Sequence, residues 1–420
     1  MGSGSGAVFA SSELQTTFLA RTLEKAEAGR TRAEQLAKGK IAPGSIAIGT
    51  YEADLARCVA EADLVFEAVS EDIACKRQMF AMIDNAMAVD TIVATVSSGL
   101  SISAMCTGRS EEFRRQFLGV HLFNPPTAIT GCELIPHAET DLQVTSAVRE
   151  LLTAVLGRAV VECADTPAFA GNRIGFKLLN EVAQLAEEHG VAYMDQLVGS
   201  HTGRSLAPLA TIDLVGWDVH KAIVDNLYDN TNDEAHATFQ LPAYMQRGID
   251  AGHLGRKTRD KGGFFRVEGK GPAAVHFVLD PVTRDYKPLA SVMPPMPTFI
   301  EKMKHEIRAG RHPEALEALC QAEGKDAQIL RRVMFGYVSY ALGRVGEVVE
   351  SPRDVDRIMG FGFLWAPPSL LVDSIGAKRT IQILEDLELA IPGVILEAAS
   401  QGRPLFDDPA LEPSRFFIAA

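Results

Sequence analysis

The chain has 420 residues, of which 47% are hydrophobic and 23% charged, and this length predicts two to three globular domains. Its formal net charge of -13 argues against nucleic acid as the main partner, because phosphate binding requires clustered Lys and Arg. No apolar run approaches the roughly 20 residues of a membrane span and no signal peptide pattern opens the chain, so we expect a cytoplasmic protein.

The chain opens with the glycine-rich stretch MGSGSG at residues 1–6, which has two interpretations. It is either a flexible tag remnant or the end of a glycine-rich phosphate loop. The short apolar run at 7–12 favours the second, because a helix follows such a loop in nucleotide-binding units. A brief β-prone run follows at 16–19, and a charged stretch with helical periodicity at 22–38.

Four apolar bursts in the first 165 residues are typical of buried parallel strands. They lie at residues 62–69, 91–96, 117–123 and 158–161, and an amphipathic helix is predicted between the first two, at 76–88. Strands that alternate with helices predict an α/β domain with a parallel sheet and helices on both faces.

Helical periodicity dominates the remainder of the chain, with a long helix predicted at 172–190. Two stretches, 194–227 and 355–387, resemble each other. Proline, aspartate and glycine recur in one register, as Pro208 and Pro368, Asp213 and Asp373, Gly216 and Gly376. We therefore predict two copies of one helical unit, packed together to bury apolar stripes that neither would cover alone.

The predicted domains follow from these patterns. A sheet domain is expected at residues 1–165 and the first all-α copy at 166–270. A β-prone linker or hairpin is expected at 271–296, and the second helical copy with an irregular tail at 297–420.

The stretch GVHLFNPPTAITGCELI contains the first candidate for chemistry. His121 closes a predicted buried strand, and catalytic groups gather at the carboxyl ends of such strands. Glu133 follows twelve residues later in an apolar context, where a carboxylate is costly unless it is paired. A histidine with a carboxylate on its second nitrogen is suited to proton transfer near neutral pH. On spacing alone, a structural histidine is the more common outcome.

Three other segments place polar residues after predicted strands or before a helix: Glu71 and Lys76, Ser97 and Ser98, and Asn172. Each has a structural interpretation, as a solvated helix start, an N-cap or a surface residue. Their order along the chain favours a site at the strand ends. The six cysteines match no zinc-site or disulfide spacing, so we expect them to be reduced and expect no metal.

These motifs resemble the L-3-hydroxyacyl-CoA dehydrogenase family. The chain has HLFNP at 121–125 with Glu133 at the family spacing, DTPAFAGNR at 165–173, and EAVSE with a lysine five residues on, at 67–76. AGHLGRKT at 251–258 and GFF at 263–265 also match, so the resemblance covers nearly the whole chain. The second helical copy is similar to that of the longer family members, which have a duplicated C-terminal domain.

The resemblance implies a role for each matched residue. His121 would accept the 3-hydroxyl proton while hydride leaves C3, and Glu133 would orient and stabilise His121. Ser98 and Asn172 would bind the substrate oxygen, with Asn124 as a supporting group. Glu71 and Lys76 would lie along the nicotinamide and its ribose, with Ser98 nearby.

The chain departs from the family pattern at its start. The family opens with a strand and G-x-G-x-M-G-x-G, whereas this chain begins at the equivalent of the last M-G-x-G, so only Gly2 and Gly4 align and the first strand is missing. We expect the natural reading frame to extend upstream by roughly 10–20 residues, the length of a strand and a turn. Without them, weak nucleotide binding and a destabilised sheet are expected.

A second departure concerns the cofactor. The family usually has an aspartate that holds the adenosine 2′-hydroxyl, but Ala20 stands at that position and Arg21 follows. NAD is the expected cofactor, and NADP is the alternative, because a missing carboxylate and an arginine both favour a 2′-phosphate.

The expected function is NAD-dependent oxidation of L-3-hydroxyacyl-CoA in fatty acid β-oxidation. The alternatives are a non-catalytic or cofactor-impaired relative that acts as a binding protein, and a dehydrogenase of a non-CoA hydroxy acid. The expected partner is an acyl-CoA substrate. A homodimer is implied unless the second copy occupies the same face, and an enoyl-CoA hydratase partner stays open.

Overall fold

The computed structural model describes residues 1–418, which form two compact units. The first unit comprises Met1–Ala170 and two short pieces from later in the chain, Glu347–Glu350 and Phe361–Phe363. The second comprises Gly171–Gly346, Ser351–Gly360 and the chain from Leu364 onward. The sequence indicated a boundary near residue 165, but no local pattern indicates that two later pieces join the first unit.

The strands of the first unit are short. In chain order they are β1 (Thr17–Ala20), β2 (Ala47–Thr50), β3 (Leu64–Glu67), β4 (Ile92–Thr95), β5 (Phe117–Leu122), β6 (Gly131–Pro136) and β7 (Ala159–Glu162). Five of them form one sheet in the order β3-β4-β5-β6-β7. The predicted parallel sheet is confirmed except between β5 and β6, which are antiparallel. The short turn between these two strands reverses the chain, whereas a parallel pair requires a longer crossover.

The other two strands form a separate sheet, in which β1 pairs with β2 in parallel. Among residues 1–418, no strand pairs with β1 on the side away from β2 or with β3 on the side away from β4. The helix α1 (Gly2–Ser11) packs on both sheets. Its Phe9 ring lies 5.1 Å from the ring of Phe66 in β3, and a Cβ atom at Gly6 would lie 2.1 Å from the ring of Phe18 in β1.

Six further α-helices lie in the first unit: α2 (Leu23–Leu36), α3 (Tyr51–Ala60), α4 (Ile73–Asp84), α5 (Ile102–Cys106), α6 (Glu111–Gln116) and α7 (Leu142–Glu150), which continues as the π-helix Leu151–Val155. The helices after β1, β2 and β3 each begin with a side-chain cap, because Thr22, Thr50 and Asp72 accept a hydrogen bond from the backbone N–H three residues on. These caps fix the turns at the strand ends.

The second unit is mainly helical. Its α-helices are α8 (Gly171–His189), α9 (Val191–Leu197), α10 (Pro208–Val215), α11 (Trp217–Asn230), α12 (Ala243–Asp250), α13 (Leu289–Val292), α14 (Thr298–Arg308), α15 (His312–Gln321), α16 (Lys325–Gly343), α17 (Pro352–Arg357), α18 (Pro368–Ile375), α19 (Ala377–Asp386) and α20 (Gly393–Gln401). The predicted β-prone segment is a three-stranded antiparallel sheet of β8 (Phe265–Glu268), β9 (Val275–Leu279) and β10 (Tyr286–Pro288). Single turns of 3-10 helix lie at Ser200–Thr202, His236–Phe239, Gly255–Lys257, Gly271–Ala273 and Pro413–Arg415, and Ile358–Phe363 is π-helical.

The residues that repeat in the sequence occupy matching positions in the second unit. Pro208 begins α10 and Pro368 begins α18, where the fixed φ of proline suits the first helical position. Each of these helices ends at a glycine with positive φ, +101° at Gly216 and +89° at Gly376. An aspartate in each helix accepts hydrogen bonds from two consecutive backbone N–H groups. Asp213 in α10 accepts them from residues 264–265, and Asp373 in α18 accepts them from residues 405–406.

No helix among the described residues is both long and apolar enough to cross a membrane.

Candidate active site

The predicted histidine and glutamate face each other on the antiparallel pair β5–β6. His121 is directly opposite Glu133 in the strand register, and its Nδ1 lies 2.5 Å from Glu133 Oε2. Both side chains are buried, with 6% and 0% of their surfaces exposed. The sequence prediction that these two residues are paired therefore agrees with their geometry, and the strand pairing explains the twelve-residue spacing.

The second carboxylate oxygen of Glu133 is held by two hydrogen-bond donors from the chain that follows β7. Its Oε1 accepts a hydrogen bond from the backbone N–H of Ala170 at 3.0 Å, and the Cys163 thiol donates to the same oxygen at 3.6 Å. A buried carboxylate is stable only when donors surround it, so these contacts fix the orientation of Glu133 towards His121. The contact of Cys163 was not predicted from the sequence, because a lone cysteine after a strand has no distinctive pattern.

The loop after β7 is pinned to the start of α5 by Asp165. Its carboxylate accepts hydrogen bonds from the backbone N–H groups of Ile102 and Ser103, at 2.8 Å each, and from the hydroxyl of Ser101. The backbone N–H of Ala168 also donates to the carbonyl oxygen of Gly99 at 3.2 Å. The DTP motif therefore has a structural explanation, since it holds the loop that reaches Glu133 against the end of β4.

A second polar cluster lies at the ends of β3 and β4. Glu71 Oε1 accepts hydrogen bonds from the Ser97 hydroxyl at 2.6 Å and the Ser98 backbone N–H at 2.7 Å. The ammonium of Lys76 lies 3.5 Å from Glu71 and 2.8 Å from Glu67. Glu71 is 42% exposed, whereas Lys76 and Glu67 are 1% exposed. The buried ammonium of Lys76 therefore lies between the two carboxylates and orients the exposed Glu71. Glu67, for which the sequence predicted no role, is the buried partner of Lys76.

The remaining predicted residues are not part of this cluster. Asn124 is exposed in the turn after β5, and Asn172 is a buried residue at the start of α8 in the second unit. Gly2 and Gly4 form the first turn of α1, where a Cβ atom at Gly4 would lie 2.8 Å from Pro126. Arg21 is exposed directly after β1.

The first unit fits a dinucleotide at the carboxyl ends of its strands. The first turn of α1 has no acidic residue, so its N–H groups and the helix dipole favour an anion there. The exposed carboxylate of Glu71 follows β3, and the half-buried Ser98 follows β4. Open α/β sheets bind nucleotides along this edge, with pyrophosphate at a helix N-terminus and ribose at a carboxylate.

Comparisons with known proteins agree with this geometry. Residues 1–166 match the sequence model described as 3-hydroxyacyl-CoA dehydrogenase, NAD binding domain, and residues 169–264 match 3-hydroxyacyl-CoA dehydrogenase, C-terminal domain. A Bacillus subtilis protein named "Probable 3-hydroxyacyl-CoA dehydrogenase" is 31% identical over 85% of this chain and 44% of its own length. The Clostridioides difficile 3-hydroxybutyryl-CoA dehydrogenase is 32% identical over 47% of this chain and 69% of its own length.

The fold is also similar to a solved structure. The crystal structure of 3-hydroxybutyryl-CoA dehydrogenase from Escherichia coli aligns over 96% of both chains with a TM-score of 0.68 and 20% identity. The chain spans about half the length of the first curated relatives that it matches. The two domain matches and the relatives identify the chain as a member of the 3-hydroxyacyl-CoA dehydrogenase family.

Proposed function

We propose that the chain catalyses the NAD-dependent oxidation of an L-3-hydroxyacyl-CoA to the 3-oxoacyl-CoA, as in fatty acid β-oxidation. The observation that carries this proposal is the buried His121–Glu133 pair at the carboxyl end of β5, next to a nucleotide-binding edge. A histidine with one nitrogen held by a buried carboxylate is suited to accept a proton from a hydroxyl group.

The proposed mechanism follows from the two ring nitrogens of His121. An ionised carboxylate only accepts hydrogen bonds, so in the neutral imidazole Nδ1 would carry the hydrogen that faces Glu133, and Nε2 would accept the 3-hydroxyl proton of the substrate. Glu133 then stabilises the imidazolium that forms. Bound NAD supplies the nicotinamide ring that accepts the hydride from C3. In the reverse direction, the imidazolium returns the proton to the oxygen of the ketone.

The roles of the other residues stay predictions that rest on the family. The Ser98 hydroxyl and the Asn172 amide bind the substrate oxygen, and Asn124 supports them. The exposed position of Glu71, with the buried Lys76 behind it, supports a contact with the nicotinamide ribose. The first turn of α1, with Gly2 and Gly4, supports binding of the pyrophosphate.

NADP is the second cofactor for which the chain offers an observation. Ala20 ends β1 without a carboxylate, and Arg21 next to it is exposed. An arginine at this position favours a 2′-phosphate, because its guanidinium binds phosphate oxygens in pairs.

We infer that the second unit contains two copies of the helical domain, which supports a monomer. Arg204 and Trp365 form an isolated antiparallel bridge, and the Ala366 N–H donates to the Gly203 carbonyl oxygen at 2.7 Å. Trp365 lies 161 positions after Arg204, the same interval that separates Asp195 and Asp356. Arg204 and Trp365 therefore occupy equivalent positions in the two copies, and they pair antiparallel. Such pairing indicates a local two-fold axis between the copies, as in an isologous dimer interface.

An ion-pair network also joins the two copies. Asp233, in the first copy after α11, accepts hydrogen bonds from Arg173 Nη2 at 2.8 Å and from the Tyr340 hydroxyl at 2.8 Å. Arg344 donates to the same carboxylate at 3.2 Å. The face that would join two subunits is therefore occupied within one chain.

The substrate would be supplied by an enoyl-CoA hydratase, because adding water to an enoyl-CoA gives a 3-hydroxyacyl-CoA.

The test is a steady-state assay at the nicotinamide absorbance band. The expected result is NADH oxidation with acetoacetyl-CoA that is strongly reduced in the Glu133→Gln variant. No turnover with NADH or NADPH at any acyl length would overturn the proposal. Turnover of free acetoacetate without turnover of its CoA ester would instead identify a hydroxy acid dehydrogenase.

A further inference from the structure

Three residues from far along the chain lie against the strands that carry the proposed acid–base pair. Phe361–Phe363 belongs to the first compact unit, although it lies almost 200 residues after Ala170 in the sequence. It forms the end of the π-helix Ile358–Phe363. Neither the sequence motifs nor the proposed mechanism gives this segment a role.

The segment contacts the same face of the β5–β6 pair as the two proposed catalytic side chains. Phe123 lies two residues after His121, and Gly131 lies two residues before Glu133, so their side-chain positions share that face. Continuing the register by one step on each strand places Phe123 and Gly131 opposite each other. They are therefore the next pair along the face.

The contact at Gly131 requires the absence of a side chain. A Cβ atom at Gly131 would lie 2.6 Å from the backbone nitrogen and 2.7 Å from the Cα atom of Gly362. Backbone therefore packs directly on backbone at this point. A Cβ atom at Gly362 would lie 2.7 Å from Cζ of Phe123, so Gly362 also packs on that ring.

Aromatic rings continue the contact to His121. The Phe363 ring meets the Phe123 ring edge to face, with centroids 5.8 Å apart and planes at 72°. The Phe123 ring in turn lies 4.9 Å from the imidazole of His121, at an angle of 54°. Phe123 is 7% exposed, so its ring has little freedom to move.

A second late segment supports the other side of the pair. The carbonyl oxygen of Val348, in Glu347–Glu350, accepts a hydrogen bond from the backbone N–H of Ala164 at 3.0 Å. Ala164 follows Cys163, whose thiol donates to Glu133. Both late segments that join the first unit therefore contact a neighbour of the acid–base pair.

We propose that Phe361–Phe363 is a positioning segment of the active site, which fixes the Phe123 ring and through it the orientation of the His121 imidazole. The inference rests on the proposed function of His121. Functional groups hold their geometry when packed neighbours lock their rotamers, and a displacement of 1 Å can lower a rate by about 100-fold. The C-terminal region thus contributes to catalysis without touching the substrate.

The test compares two glycine substitutions that place a methyl group on an aromatic ring. Gly362→Ala directs its Cβ at Phe123, while Gly248→Ala in α12 directs its Cβ to 2.6 Å from the Trp217 ring in the second unit. Both variants are expected to lose thermal stability. Only Gly362→Ala is expected to lower kcat, by about tenfold or more, with KM for NADH unchanged. An equal and small effect of both substitutions on kcat would overturn the proposal.

A rescue experiment separates positioning from general destabilisation. Phe123→Ala removes the ring that the new methyl group meets, so Gly362→Ala is expected to cause no further loss of kcat in that background. Additive losses would contradict the proposal.

An NMR spectrum of the His121 ring follows the same geometry without turnover, so it distinguishes failure of this inference from failure of the proposed function. Gly362→Ala is expected to change the chemical shift of the His121 Nδ1 nitrogen, because a displaced imidazole changes its contact with Glu133. Gly248→Ala is expected to leave this chemical shift unchanged. A chemical shift of His121 Nδ1 that is the same in wild type and Gly362→Ala would overturn the inference whether or not the enzyme turns over.

Discussion

Asp195 and Asp356 each hold the start of a proline-initiated helix, but only Asp195 has both carboxylate oxygens paired. Asp195 accepts hydrogen bonds from the backbone N–H groups of Leu209 and Ala210, at 2.8 and 3.0 Å. Asp356 accepts one from the N–H of Ser369 at 3.0 Å, and its Oδ2 is buried without a hydrogen bond within residues 1–418. Burial raises the pKa of Asp195 to about 7 and that of Asp356 to about 8.

The raised pKa of Asp356 predicts that stability falls with pH. The Asp356 carboxyl binds its proton more tightly in the folded state than in the unfolded state. Its contribution to the free energy of unfolding is therefore complete below the unfolded pKa of about 4, and it is lost as the pH rises through about 8. We expect Asp356→Asn to remove this dependence and to be more stable than wild type above about pH 8, by roughly 1–3 kcal/mol. Urea unfolding across the pH range measures the free energy.

Asp195→Asn is the matched control. An amide has one accepting oxygen, so it loses one of the two backbone hydrogen bonds and turns an NH2 group towards an N–H donor. This variant is expected to be less stable than wild type at neutral pH. The explanation fails if both substitutions change the free energy of unfolding in the same direction near pH 9, where both carboxylates would otherwise be charged.

Glu133→Gln tests the charge on the acid–base pair. Glutamine keeps a similar volume but removes the negative charge that stabilises the imidazolium of His121. We expect kcat to fall by about 100-fold or more, within the range attributed to general acid–base catalysis. Glu139→Gln, which removes an exposed carboxylate paired with Arg114, serves as the control and should leave kcat within about twofold of wild type. Comparable rates for Glu133→Gln and wild type would exclude the assigned role.

Ala20→Asp tests which nicotinamide the chain prefers. A carboxylate at the end of β1 would accept hydrogen bonds from the ribose hydroxyls of NAD and repel the 2′-phosphate of NADP. The ratio of kcat/KM for NAD to that for NADP is expected to rise by at least about tenfold. Arg21→Gln should change the ratio in the same direction, by lowering the NADP value. A ratio that neither substitution changes would show that the end of β1 does not contact the adenosine ribose.

The predicted monomer is tested by mass. Light scattering is expected to give a mass near 45.3 kDa across the accessible concentration range. Asp233→Asn removes the negative charge that the buried Arg173 and Arg344 share, while Arg344 keeps its ion pair with Glu234. It is expected to destabilise the protein by about 3–5 kcal/mol, the usual cost of breaking a buried ion pair by removing one partner. A stable dimer of wild type would contradict the inferred internal two-fold packing.

The sequence contained enough to predict the strand-end residues, because motif spacing and strand position depend on local patterns. The spacing of His121 and Glu133 was weak evidence by itself and gained its meaning from the resemblance to the family, and the alternation of strands and helices indicated the sheet. β6 was not predicted as a strand, and its antiparallel direction was missed with it, since the short run GCELI has no alternation that identifies a strand or its direction. β2 was missed because the four residues AIGT are too short to show a period.

Long-range contacts were beyond local patterns. The packing of Gly362 on Phe123 joins residues more than 200 positions apart, and nothing in FGF at 361–363 indicates a partner. Similarly, the contact of Cys163 with Glu133 depends on how β7 and the following loop pack beside β6. Such neighbours are determined by tertiary packing. The family motifs include the residues that are contacted, but not the distant residues that contact them.

The separation of β1–β2 from β3–β7 has a consequence for local unfolding. Two short strands held by their own pairing and by α1 and α2 form a smaller cooperative unit than a five-stranded sheet. Backbone amides of β1 and β2 should therefore exchange with deuterium sooner than those of β4 and β5. In such an opening, the edge proposed for the adenosine would come apart while the histidine and its carboxylate stayed folded, so the protein would release its nucleotide from the adenine end first.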